Sequence, residues 1–83
     1  MPKRVTMREL TDALLRIGFE TPEIRGKHVL FRHPGTGTLV VLPKLRPSTA
    51  VGRARLAAVR LSVIGREVAT FDEFDDALQA VHA

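Results

Sequence analysis

Two of the chain's three histidines, His28 and His33, lie inside a long basic stretch; the third, His82, lies in an acidic tail. Between Arg25 and Arg66 there are nine basic side chains: Arg25, Lys27, Arg32, Lys44, Arg46, Arg53, Arg55, Arg60 and Arg66. That span holds no Asp or Glu. From Glu67 onward there are five acids and no Lys or Arg. A one-sided cationic stretch is the footprint of a polyanion partner. Imidazole titrates near neutrality and serves as general base or acid. RNA supplies its own nucleophile, the 2′-hydroxyl. A base that takes its proton, beside cations that steady the phosphorane, cleaves RNA without a metal. His28 is the candidate for that base; the alternative is a polar strand residue. His33, just before Pro34, reads as a turn residue, and His82 as terminal surface.

Other chemistries are harder to assemble. The basic half has no carboxylate pair for two-carboxylate acid–base work. It also has too few His and Asp residues for a metal site, and the chain has no Cys. No Walker loop or dinucleotide fingerprint occurs, so no cofactor is expected. Aromatic stacking of a single strand needs exposed rings. There is no Trp or Tyr, and the four Phe are assigned to the core, Phe71 on the weakest pattern.

At 83 residues the chain is one domain with a thin core. No apolar run reaches membrane-span length, and no signal-peptide core follows the first residues. The expectation is a cytoplasmic protein with no membrane partner. Thr6 and Glu9 form a capping box before the apolar positions Leu10, Ala13, Leu14 and Ile17, which predicts a helix over 7–17 ended by Gly18. Three strands follow: 19–24, an edge strand because of Pro22; 28–33; and 38–42. A loop over 43–52 carries Lys44 and Arg46. A helix over 53–64 ends at Gly65. A last, acidic helix over 70–82 repeats the capping box with Thr70 and Glu73. The class is α+β, with helices on one face of a three-stranded antiparallel sheet.

Strand alternation assigns faces. Val29 and Phe31 point to the helices, which leaves His28, Leu30 and Arg32 on the uncovered face. If His33 pairs with Thr38, Leu39 and Val41 join them. A one-residue slip brings Val40 and Leu42 instead. Either register leaves aliphatic residues, Leu30 among them, on an open sheet, and such a patch marks a partner surface.

Gly18-Phe19-Glu20, then Gly26-Lys27-His28-Val29-Leu30-Phe31-Arg32-His33-Pro34, then Thr38-Leu39-Val40-Val41-Leu42-Pro43, resemble the HicA family of toxins over about residues 5–65. The Gly-x-His-x-x-Phe-x-His-Pro run is fairly specific as a unit. The resemblance implies a fold like a double-stranded RNA-binding domain, α-β-β-β-α, here with an added C-terminal helix. It implies an mRNA interferase, a metal-independent endoribonuclease, with His28 as the catalytic histidine. It also implies a HicB-like antitoxin as partner, with an oligomer of the two left open. Lys27 stands where the family has a small residue, usually serine, and Lys44 where a histidine often follows the strand's proline. On this reading Lys27, Arg32, Lys44 and Arg46 hold the RNA backbone, and Leu30 belongs to the partner surface. Two alternatives stand beside it: a non-catalytic RNA-binding module of the same fold, and a DNA-binding or protein-interaction domain.

Overall fold

The structure, a computed structural model, describes residues 4–81, so His82 lies outside the described residues. The elements run α1 (Met7–Arg16), β1 (Glu23–Arg25), β2 (His28–His33), β3 (Thr38–Pro43), α2 (Arg53–Gly65) and α3 (Phe71–Val81). The strands form one antiparallel sheet in the order β1-β2-β3. This is the expected α-β-β-β-α layout with a further helix. Among the described residues no helix is long and apolar enough to cross a membrane.

Both capping boxes form. The Thr6 N–H donates to Glu9 Oε1 at 2.9 Å, and the Glu9 N–H donates to Thr6 Oγ1 at 3.2 Å. Thr70 and Glu73 repeat the exchange at 2.8 and 3.1 Å. α1 ends in a Schellman motif: the Phe19 N–H reaches the Leu14 carbonyl and the Gly18 N–H reaches Leu15. Gly18 takes a positive φ of 105° to make that turn. Phe19 and Leu14 are both buried, which supplies the motif's apolar contact.

α2 ends differently from expectation. Gly65 is the last helical residue, not the stop. The Schellman bonds come two residues later, from Glu67 N–H to the Ile64 carbonyl and from Val68 N–H to Val63. The left-handed position is therefore filled by Glu67, with φ 59°. Burying Val63 and Ala69 sets where the chain must turn, and that overrides the glycine.

The first strand is also shorter than expected. Pairing in β1 begins only at Glu23, after Pro22, whose nitrogen has no proton to donate. Phe19 belongs to the core rather than to this strand. α2 packs on β3 and α3, and α3 packs on α1. One face of the sheet joins this core through Val29, Phe31, Val40 and Leu42. The core faces of the helices are the periodic sets: Leu10, Ala13 and Leu14; Leu56, Val59 and Val63; Phe74, Ala77 and Leu78.

Candidate nucleic-acid interface

His33 pairs with Thr38, so of the two registers the unslipped one forms. Thr38, Val40 and Leu42 then turn inward, while Leu39 (53% exposed) and Val41 (54%) face solvent. On β2, Val29 and Phe31 are buried and His28 and Arg32 are exposed. Leu30, expected to be exposed, is only half-buried. It sits in the central strand between Glu23 and Val41, and those neighbours shield its sides.

The pairing arranges the open face in rows. One row reads Arg25, His28, Pro43; the next reads Glu23, Leu30, Val41; Arg32 and Leu39 close the far end. Side chains directly opposite on neighbouring strands have Cβ atoms about 5 Å apart. Arg25 is therefore the cation nearest to His28 by register. The strand expected over 19–24 stops one residue short of Arg25, whereas β1 includes it. The turn holds only Gly26 and Lys27, with positive φ confined to Gly26 (60°), the pattern of a type II′ hairpin. Such a two-residue loop makes its flanking residues a pair, so Gly-Lys between two strand-like segments was the available signal.

The named cations divide into near and far groups. The Lys44 N–H donates to the Lys27 carbonyl at 2.9 Å, which holds the chain after β3 against the turn. The backbones of Lys27 and Lys44, both exposed residues, thus join at the end of the sheet next to the His28 row. Arg32, four residues along β2 from His28, stands about 13 Å away at the strand rise. Arg46 lies in the exposed loop three residues past Pro43, within about 10 Å of chain. That loop is anchored rather than free: Pro47 and Thr49 carbonyls accept from the Arg8 and Met7 N–H groups at the start of α1.

The cations of α2 stand behind the sheet. Arg60 is engaged by the acidic helix: Nε to Asp75 Oδ1 at 3.0 Å and Nη2 to Oδ2 at 2.8 Å, with its guanidinium 4.3 Å from the Phe71 ring centroid. Phe71, assigned to the core from the sequence, is 45% exposed and serves as this stacking surface.

The two described histidines are in opposite circumstances. His33 Nδ1 accepts from the Thr36 N–H at 3.2 Å, and its ring meets Phe19 edge-on with centroids 5.2 Å apart. A Cβ on Gly18 would lie 2.8 Å from its Nε2. His33 is a hairpin clamp, as its position before Pro34 suggests. The His28 ring is exposed and has no hydrogen-bond partner among the described residues. Both its nitrogens are open to a ligand. Beside it lie the aliphatic strip of Leu30, Val41 and Leu39 and the cations Arg25, Lys27 and Lys44. Such a face can neutralise phosphates, shelter apolar edges of bases and move a proton. No protein-family model matches the chain, and no curated protein or solved structure matches it.

Proposed function

We propose that this chain is a HicA-type endoribonuclease acting on mRNA, with His28 as the general base. The observation that carries the proposal is the exposed His28 imidazole on an uncovered sheet face, in register with Arg25 and at the end of the sheet where the backbones of Lys27 and Lys44 join. His28 takes the proton of a 2′-hydroxyl. The 2′-oxygen attacks the adjacent phosphorus, the P–O2′ bond forms and the P–O5′ bond breaks. The 5′-oxygen leaves and takes a proton from water, and the imidazolium returns its proton to solvent. The products are a 2′,3′-cyclic phosphate and a 5′-hydroxyl. Lys27 and Lys44 offset the charge that builds on the non-bridging oxygens. Arg32, about 13 Å along β2, is too far for the scissile phosphate and holds a neighbouring one, and Arg46 holds the RNA backbone from the loop.

The aliphatic strip gives a HicB-like antitoxin a surface that would cover His28 at the same time. A cytoplasmic location follows from the proposed substrate. One observation favours a second reading, a non-catalytic RNA-binding module. No protein group among the described residues fixes the His28 tautomer, as a dedicated base commonly requires.

The His28→Ala variant separates the two. A lost general base lowers cleavage by about 10²- to 10⁴-fold. Binding should persist, because phosphate contacts come from other side chains. RNA 2′-O-methylated at the scissile nucleotide should bind and stay intact. Equal cleavage by purified wild-type and His28→Ala protein, or none by either, refutes the enzyme.

A further inference from the structure

We propose that Arg25, through its terminal guanidinium nitrogens, binds the phosphate of a single RNA strand that lies against His28. The inference rests on RNA being the ligand of the open face, and it adds a substrate-contacting residue there. Arg25 is the last residue of β1 and His28 the first of β2, and the type II′ turn between them makes them partners on one face. A phosphate lying over the imidazole therefore lies within reach of the guanidinium.

The guanidinium is also held in a way that leaves its binding end free. Arg25 Nε donates to Glu23 Oε1 at 3.1 Å, and the terminal nitrogens have no partner among the described residues. Arginine presents those nitrogens as a planar fork that matches two phosphate oxygens. The bland explanation is an exposed ion pair between residues two apart on an edge strand. Such pairs contribute little to stability. The side chains of Arg25 and Glu23 are 66% and 60% exposed, so neither is required for folding. Lys27 and Lys44 flank the same row as point charges, whereas Arg25 alone there can form two parallel bonds to one phosphate.

The test must separate a direct contact from a general change in surface charge. The double variant Glu23→Gln/Arg25→Gln removes one charge of each sign and leaves the net charge of +4 unaltered. Its affinity for a 2′-O-methylated single-stranded RNA should fall about tenfold, with the salt slope reduced by about 0.7, the value for one phosphate contact on a single strand. Glu23→Gln alone frees Nε and removes a carboxylate from the strand's path, so it should bind at least as tightly as wild type. An unchanged affinity and slope in the double variant overturns the contact, as does a wild-type protein that does not bind RNA. Matching melting curves show that the variants fold. With cleavable RNA, the double variant should lose about 10²-fold in kcat, the usual effect of removing one donor to a developing oxyanion. If His28→Ala cleaves as wild type does, the catalytic assignment fails while the binding arm still decides the Arg25 contact.

Discussion

Salt titration of the proposed RNA binding converts the geometry of the open face into a number. The sequence has nine cations between Arg25 and Arg66. Four of them, Arg53, Arg55, Arg60 and Arg66, lie on or at the end of α2 behind the sheet, and Arg60 is held by Asp75. The remaining cations that one strand can meet are Arg25, Lys27, Arg32 and Lys44, with Arg46 as a fifth from the loop. Each single-stranded phosphate neutralised adds about −0.7 to the slope of log affinity against log salt, so four to five contacts give about −2.8 to −3.5. Raising salt from about 50 to 200 mM should then weaken binding by roughly 50- to 130-fold. Engagement of all nine cations would give a slope of about −6 and a loss of several thousandfold. Fluorescence anisotropy with a labelled, 2′-O-methylated single strand reads this without interference from cleavage. Lys27→Ala/Lys44→Ala should flatten the slope by about 1.4. A wild-type slope near zero refutes the cationic face, a slope near −6 refutes its restriction to the open side, and an unchanged slope in the double variant removes Lys27 and Lys44 from it.

Two predictions concern stability and use thermal melts followed by circular dichroism. Glu67 occupies a left-handed position at φ 59°, and Gly65 lies in helix α2 with open space where a Cβ would stand. Glu67→Gly and Gly65→Ala should each stabilise by about 0.5–1 kcal/mol, the balance of left-handed strain and glycine entropy. Combined, they should raise Tm by about 4–16 °C for a domain of this size, and a fall in Tm would refute the assignment of the α2 stop. Gly18→Ala meets both a φ of 105° and His33 Nε2 at 2.8 Å. It should cost about 2 kcal/mol or more. An unchanged Tm would mean that His33 is not the clamp described.

Much of the fold was legible because its signals are short-ranged. A capping box links residues three apart, so Thr6–Glu9 and Thr70–Glu73 could be read directly, and the bonds form as expected. Alternation along β2 placed His28 and Phe31 on opposite faces, because consecutive strand side chains must point to opposite sides. The choice between Leu39 with Val41 and Val40 with Leu42 needed the register across the hairpin, which depends on burying Val40 and Leu42 against the helices. Gly65 carried the local signal to end α2, yet the chain turns at Glu67, because packing of Val63 and Ala69 sets the turn at a cost in backbone strain. The charge pattern along the chain could not show that Arg60 is neutralised by Asp75, fifteen residues away, or that Phe71 stacks there instead of entering the core. Nor could it single out Arg25 from the other cations as the one opposite His28. Sequence neighbours decide caps and strand faces through bonds that span a turn or less. Which charges meet between helices, and which register the longer hairpin takes, is decided by tertiary packing, because those distances are set by burial of side chains far apart in the chain.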